Sequence, residues 1–369
     1  MNRLRAIFVW AILLPLAHGQ KRLVLIDQDG SGPADSNQMS MMVLLESPLV
    51  EVLGITIVTG NAWRDEEVQH TLRMLELLGR TDVPVVPGAV FPLVRTQEET
   101  RLAAQVAGRV LWLGAWGGRS VDAAPPAGMV DTATRTHGPW EIPPLREGAP
   151  TTKPRDEDAA HFLIRQVRAH PGQVTVYAAG PLTNIALAVS LDPHFAELTK
   201  GIVLMGSSLN PQTDDVEFAT SPRHEFNFWF DPEAAHIVLR ARWPRIDVTT
   251  VDVSIKAVFT DEMFRAISRS TSLAAQYIAK YAIQRYYLWD ELAACAWLDR
   301  SIVTRERQLY MDVDLSHGLS YGTTLTWSES LKPDTGVRLV NAQVDLDLPK
   351  FKKMFVDLMT APSPRGNGR

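Results

Sequence analysis

The run Leu23-Val24-Leu25-Ile26, followed by Asp27-Gln28-Asp29-Gly30-Ser31-Gly32-Pro33, decides the fold class of this chain. Four consecutive aliphatic residues are typical of a strand that is buried on both faces of a parallel sheet. Ligands of open α/β sheets bind in the crevice beyond the carboxyl ends of such strands. Asp27 and Asp29 are therefore placed where two carboxylates could hold a hard cation, although either could instead cap a helix that starts near Ser36.

Strand and helix patterns alternate through the rest of the chain. The predicted elements are a helix over 38–45, a strand over 52–58, a helix over 65–78, a strand over 83–86, a helix over 159–169, strands over 174–177, 202–205 and 247–253, helices within 262–297, a β-rich part over 310–346 and a helix over 351–359. Residues 225–231 have a two-residue period that is typical of a strand. The alternation predicts an α/β fold with a doubly wound, mostly parallel sheet.

The domain organisation follows from length and composition. With 369 residues, of which 46% are hydrophobic and 21% charged, the chain can bury a large core. Residues 20–369 are predicted to form one domain, with an insertion or flap at about 93–150 where the sequence is rich in Gly, Ala, Pro and Trp. Residues 1–19 carry Arg3 and Arg5 before an apolar stretch, which predicts a signal peptide cleaved after Gly19, export to the periplasm or secretion, and no stable membrane anchor.

Charge and cysteine content exclude some classes of protein. The net charge of −5 provides no basic surface for a nucleic-acid backbone, although nucleosides, which lack phosphate, remain candidate ligands. Cys295 is the single cysteine, so the chain cannot form an intramolecular disulfide.

The chemistry-bearing residues lie mostly at predicted strand ends. They are Asp27, Asp29, Asn61, Ala179, Met205, Glu225, Asn227 and, on a predicted helix, Asp290. With their surroundings, 23–45, 51–61, 178–188, 225–227 and 231–235, they resemble the inosine-uridine-preferring nucleoside hydrolases in order and spacing. The resemblance covers most of the chain after residue 20.

The resemblance implies a Ca²⁺-dependent N-ribohydrolase that acts on a small-molecule nucleoside, and it permits a homo-oligomer. By the family pattern, Asp29 would be both a metal ligand and the general base, with Asp290 and the Ala179 carbonyl as further ligands. Asn61, Met205, Glu225 and Asn227 would form the ribose site, with Asp27 behind the metal ligands. Calcium takes six to eight oxygen ligands, and such a reaction needs an activated water, which agrees with these residue types.

Two departures from the family pattern affect the expected chemistry. The first loop of the family has the pattern Asp-x-Asp-Pro-Gly-x-Asp-Asp. When positions are counted back from Asn61 without gaps, Ser36 and Asn37 stand where the family has its last two acids. The longer loop could let Asp35 take the place of one of these acids, or Asn37 could offer a neutral oxygen to the metal. In either case calcium affinity should fall, because one negative charge near the cation is lost. Trp289 stands where purine-active members often carry a His that protonates the leaving base. His137, which resembles a His of the family flap, is a further candidate substrate contact, as is Trp289 itself.

Local roles compete with these functional interpretations. Asn61 could be a turn residue, Asn184 is expected to cap its helix, Met205 could belong to the core, and Asp290 could pair with Arg285. At the level of the whole chain, the main alternative is a non-catalytic nucleoside- or sugar-binding protein, which the altered acidic loop favours. A hydrolase that cleaves another glycoside with paired carboxylates is a third hypothesis, for which the sequence has no distinct motif.

Overall fold

The computed structural model describes residues 21–117, 137–282 and 284–363. The predicted signal peptide, residues 1–19, and residues 118–136 of the predicted insertion lie outside the described residues. No helix within the described residues is long and apolar enough to cross a membrane.

The described residues build a nine-stranded, mostly parallel sheet. Its strands are β1 Arg22–Gln28, β2 Val50–Ile57, β3 Val85–Pro87, β4 Val174–Ala178, β5 Gly201–Met205, β6 Ile246–Thr249, β7 Val303–Val313, β8 Thr324–Trp327 and β9 Arg338–Leu346. The strand order is β3-β2-β1-β4-β5-β6-β9-β7-β8. Among these nine described strands, only β7 pairs antiparallel, with β8 and β9. The predicted α/β class with a doubly wound, mostly parallel sheet is confirmed.

Helices cover both faces of the sheet. They are α1 Ser36–Glu46, α2 Arg64–Leu77, α3 Gln97–Ala107, α4 Ala159–Ala169, α5 Thr183–Leu191, α6 Val216–Thr220, α7 Phe226–Phe230, α8 Pro232–Arg240, α9 Val251–Ser254, α10 Asp261–Ile267, α11 Leu273–Tyr281, α12 Trp289–Leu298 and α13 Leu348–Thr360. One apolar core lies between the sheet and the group α1, α2 and α10–α13, and a second lies between the sheet and α4, α5 and α8.

The chain reverses its direction of travel across the sheet at β1. After β1 it moves outward to β2 and β3, and it then returns to β4 on the other side of β1. The carboxyl ends of β1 and β4 therefore border a crevice at a topological switch point, where open α/β sheets bind ligands. Asp29 follows β1 and Ala179 follows β4, so both residues stand at this crevice.

Two local predictions were wrong. Residues 225–231 are not a strand, because the Glu225 carboxylate accepts hydrogen bonds from the backbone N–H groups of Asn227 and Phe228 and so caps the short helix α7. The strand predicted over 247–253 ends at Thr249, and α9 begins two residues later. The predicted insertion contains a helix: α3 lies after residue 93, and its start is capped by the Thr96 hydroxyl.

A contact at the opposite edge of the sheet ties β1 to α12. The Arg22 guanidinium donates hydrogen bonds to the carbonyls of Trp297, at 2.9 Å, and Leu298, at 3.1 Å. The same group lies over the Trp297 ring, 4.2 Å from its centroid. A cation at the carboxyl end of a helix is a favourable arrangement because the free carbonyls there carry partial negative charge.

Candidate active site

A cavity of about 460 Å³ opens at the carboxyl ends of β1, β4 and β5. One part of its wall is polar and includes Asn37, Asn61, Ala179, Met205, Glu225, Asn227 and Asp290. The other part is largely aromatic and includes Trp112, Phe218, Phe226, Tyr286, Tyr287 and Trp289. A polar end beside an aromatic end suits a ligand that joins a sugar to a flat ring.

Asp29 is fully buried just behind the polar wall. One carboxylate oxygen accepts a hydrogen bond from the backbone N–H of Asn61 at 2.9 Å, and the other accepts one from the Asn37 amide at 2.5 Å. Gly60 and Gly180 flank this carboxylate so closely that a Cβ atom on either residue would overlap it. The two glycines are therefore required for the Asp29 side chain to occupy this position.

Two amide side chains connect Asp29 to Asp290. Asn37 donates to the Gln28 oxygen at 2.9 Å, and the Gln28 nitrogen donates to the Asp290 carboxylate at 3.1 Å. Gln28 also accepts a hydrogen bond from the backbone N–H of Asp29 at 3.0 Å. This Asp29–Asn37–Gln28–Asp290 network fixes both acids through neutral groups, and the sequence patterns did not identify Gln28 as part of it.

Asp35 caps α1, a role that the sequence analysis considered only for Asp27 and Asp29. Its carboxylate accepts hydrogen bonds from the Gln38 backbone N–H at 2.8 Å, the Ser31 hydroxyl at 2.8 Å and the Gly32 backbone N–H at 3.2 Å. Neither Asp27 nor Asp29 caps this helix. Asn37, in the first turn of α1, contacts Asp29, whereas Asp35 does not form a hydrogen bond with it in the described residues.

Asp27 lies behind the cavity and is fully buried. One of its oxygens accepts hydrogen bonds from the Thr56 hydroxyl at 2.5 Å and the Asn184 amide at 2.8 Å. Asn184 therefore does not have the capping role expected of it, since the residue at the cap position of α5 is Leu182. Burial raises the pKa of Asp27 to about 7.

The remaining residues of the predicted ribose site line the cavity. Glu225 accepts backbone hydrogen bonds from Ser207, Asn227 and Phe228, at 3.1, 2.8 and 3.0 Å, and burial raises the pKa of Glu225 to about 7. The Asn227 amide donates to the Met205 carbonyl at 3.0 Å. Asn61 donates through its amide nitrogen to the Asn37 oxygen at 3.1 Å.

The aromatic end is formed by parts of the chain that are distant in sequence. The Trp112 indole donates to the Asn61 side-chain oxygen at 2.7 Å and lies edge-on to Phe226, with ring centroids 6.4 Å apart. Trp289 at the start of α12 packs against Phe218 and Tyr287, with centroids 5.7 and 4.6 Å apart. The sequence analysis did not single out Trp112 or Phe218.

His137 is placed differently from the other predicted site residues. It is not among the residues that line the cavity. Its ring lies 2.9 Å from the Glu66 carboxylate on α2, and its carbonyl accepts a hydrogen bond from the Trp63 indole at 2.9 Å. Arg285 likewise does not pair with Asp290, because it forms an ion pair with Asp261 at 2.8 Å.

The charges of the site favour a cation. Burial raises the pKa of Asp29 well above its ordinary value, and the neighbouring charge of Asp290 raises it further. Burial also raises the pKa of Asp290. Within the described residues neither carboxylate forms an ion pair with Lys, Arg or His, and no three His, Cys, Asp or Glu side chains there form a metal cluster by themselves. The available donors are two carboxylates, the Asn37 amide oxygen and the Ala179 carbonyl, which are hard oxygen ligands.

A sequence profile for inosine-uridine preferring nucleoside hydrolases matches residues 24–353. The chain belongs to this family. Family membership makes it a hydrolase that acts on the N-glycosidic bonds of nucleosides. The family is known for metal dependence.

Individual family members resemble the chain over almost its whole length. Probable uridine nucleosidase 1 of Oryza sativa subsp. japonica is 30% identical over 357 residues, which cover 92% of this chain and 97% of that protein. Pyrimidine-specific ribonucleoside hydrolase RihA of Escherichia coli O8 (strain IAI1) is 28% identical over 91% of this chain and 96% of its own. The plant nucleoside hydrolase PpNRh1 superposes with a TM-score of 0.69 at 25% identity, over 93% of this chain and 100% of that structure.

Proposed function

We propose that this nucleoside hydrolase cleaves uridine to uracil and ribose, with Asp29 as the general base and Ca²⁺ held beside it. The observation that carries the proposal is the placement of Asp29, which is buried at a strand end, held by two N–H donors and linked to Asp290. Uridine is chosen because similar proteins carry the names uridine nucleosidase and pyrimidine-specific ribonucleoside hydrolase.

The donor set fits a calcium ion. Asp29 and Asp290 would supply carboxylate oxygens, and Ala179 would supply its backbone carbonyl, with the Asn37 amide as a neutral fourth ligand. A cation there would offset the charge of two buried acids that have no ion-pair partner within the described residues. When bound, Ca²⁺ would polarise the water that attacks the sugar.

The chain's own residues account for the remaining steps. Asp29 takes the proton of the attacking water, and Glu225, Asn227 and Asn61 hold the ribose hydroxyls so that C1′ faces that water. Glu225 is preorganised for this role, because three backbone N–H groups fix its carboxylate. The aromatic end of the cavity stacks on the base and excludes bulk water.

One observation favours the alternative of a non-catalytic binding protein. The Asn37 nitrogen, rather than its oxygen, faces Asp29, and the Gln28 amide spans the interval from Asn37 to Asp290. The neutral amides of Asn37 and Gln28 therefore donate hydrogen bonds to the Asp29 and Asp290 carboxylates, which are partly paired without a metal. For Asn37 to become a ligand, its amide group would have to turn over so that the oxygen faces the cation.

The test compares the wild-type protein with Asp29→Ala. We expect the wild-type protein to contain calcium by elemental analysis and to release ribose from uridine. Asp29→Ala should lose activity by about 10²- to 10⁴-fold, the usual contribution of a general base, or more if the cation is lost too. Its circular dichroism should match that of the wild-type protein.

A matched control and a second readout separate the two hypotheses. Asp345→Asn removes a half-exposed acid that forms an ion pair with Lys256 and does not line the cavity. This variant should keep wild-type activity. A wild-type protein that binds uridine by calorimetry but releases no ribose, with or without added calcium, would establish the binding protein instead. Near wild-type turnover by Asp29→Ala would contradict the assignment of the general base.

A further inference from the structure

Glu217 is an acid in the cavity wall that the mechanism above does not use. It lies on α6 and its side chain is 21% exposed. Among the described residues, three other acids line the same cavity, and each forms hydrogen bonds. Asp35 caps α1, Glu225 accepts from three backbone N–H groups, and Asp290 accepts from Gln28. No described residue forms a hydrogen bond with the Glu217 carboxyl group, so this acid is available to a ligand.

Glu217 is placed at the aromatic end of the cavity. The next residue, Phe218, packs edge-on against Trp289, with ring centroids 5.7 Å apart. Asp215, two residues earlier, accepts a hydrogen bond from the Tyr287 hydroxyl at 3.0 Å. Glu217 therefore lines the cavity together with the rings that would enclose a base, whereas Asp29 lies behind the polar wall beside Asn61.

The charges around Glu217 favour its protonated form. Burial, together with the charge of Asp215, raises the pKa of Glu217 to about 7. The His224 imidazole lies 3.6 Å from the Glu217 carboxylate, but burial and the charge of Arg95 lower the pKa of His224 to about 4. Glu225 adds a further acid in the same wall, and Tyr286 and Tyr287 are neutral at physiological pH. Around neutral pH a large fraction of Glu217 therefore carries a proton.

We propose that Glu217 protonates the leaving base. This inference rests on the proposed nucleoside hydrolase activity. The water oxygen forms a bond to C1′ while the C1′–N bond breaks and its electron pair passes to the base. The Glu217 proton moves to a nitrogen or carbonyl oxygen of the base, and the water proton moves to Asp29. Solvent then returns a proton to Glu217 and removes one from Asp29, so the balance is nucleoside plus water giving base plus ribose.

The other candidate acids are less suited to this step. Trp289 offers only an indole N–H, which does not ionise under these conditions. The Tyr287 hydroxyl is already donated to Asp215, and burial and that bond raise the pKa of Tyr287. His137 lies against Glu66 and is not part of the cavity wall.

The test compares two substrates whose leaving groups differ in their need for a proton. Wild-type protein and Glu217→Gln are assayed on uridine and on 4-nitrophenyl β-D-ribofuranoside, whose phenolate leaves unprotonated. We expect the variant to lose kcat on uridine by about 10²-fold or more, the usual range for a general acid. The loss on the nitrophenyl riboside should be at least about tenfold smaller. Wild-type kcat on uridine should also fall as the pH rises above about 7, and this limb should be absent for the nitrophenyl riboside.

Asp214→Asn, which alters an exposed acid in the same segment, is the matched control and should behave as wild type. Equal losses by Glu217→Gln on both substrates, or a loss on uridine below about threefold, would overturn the role of Glu217 while leaving the hydrolase activity in place. A wild-type protein that cleaves neither substrate would overturn the proposed function itself, and with it this inference.

Discussion

The buried His70–Glu147 pair predicts a specific dependence of stability on pH. His70 lies on α2, and its Nδ1 contacts the carboxylate of Glu147, while Glu66 lies 3.8 Å from its other ring nitrogen. Burial alone would lower the pKa of His70, but the hydrogen bonds and charges of Glu147 and Glu66 raise it to about 9. The imidazolium form therefore stabilises the folded protein.

The sign and size of the effect follow from that pKa. The folded protein holds the His70 proton more tightly than the unfolded chain, whose value is 6.5. The stabilisation is complete below about pH 6.5 and is lost as the pH rises to about 9. At about 1.36 kcal/mol per pKa unit, the difference corresponds to about 3 kcal/mol.

Urea unfolding between pH 6 and pH 9.5 measures this contribution. The comparison is between the wild-type protein and the double variant His70→Gln, Glu147→Gln, whose neutral amides retain polar groups of similar size but cannot form an ion pair. We expect the advantage of the wild-type protein to shrink by about 3 kcal/mol across this range. Parallel pH curves for the two proteins would refute the charged state assigned to His70.

Two further predictions concern the acidic loop and the start of the chain. Asn37→Asp should tighten calcium binding, because the number of charged ligands is a main determinant of calcium affinity. Calorimetric titration of the wild-type protein and the variant with calcium measures this change. Unchanged or weaker binding would place Asn37 outside the ligand set. Exported protein should begin at or near Gln20, since residues 1–19 have the pattern of a signal peptide. Amino-terminal sequencing that still finds Arg3 and Arg5 would contradict the predicted cleavage.

The sequence predicted the large features because they depend on local patterns. The buried strand β1, the alternation of strands and helices and the position of Asp29 all follow from apolar runs and the polar residues after them. The helix α7 was missed because a run of five residues is too short for periodicity to separate helix from strand, and the Glu225 cap decides the outcome.

The contacts within the site depend on side-chain orientations that tertiary packing sets and that local sequence patterns do not predict. Gln28 turns toward Asp290, which is 262 positions away in the sequence. This contact depends on how α12 packs against α1 and β5. Asp35 and Asn37 are polar residues only two positions apart in the sequence. The start of α1 at Ser36 makes Asp35 the cap and places Asn37 in the first turn, where it contacts Asp29. Glu217 belongs to a short helix whose position beside Trp289 is equally a matter of tertiary structure.

We expect the hydrogen bonds between Arg22 and the end of α12 to limit the movement of Asp29 and Asp290 relative to each other. Asp29 lies just past one end of β1 and Asp290 lies in the first turn of α12, while Arg22 joins the other ends of these two elements. The Tyr177 hydroxyl, from β4, donates to the Asp290 carbonyl and braces the same helix. We expect a ligand that requires another spacing between the carboxylates to be disfavoured, because the two elements next to these acids are held together by these contacts. We expect these contacts to restrict the distance between the Asp29 and Asp290 carboxylates, and therefore the size of a ligand that can contact both.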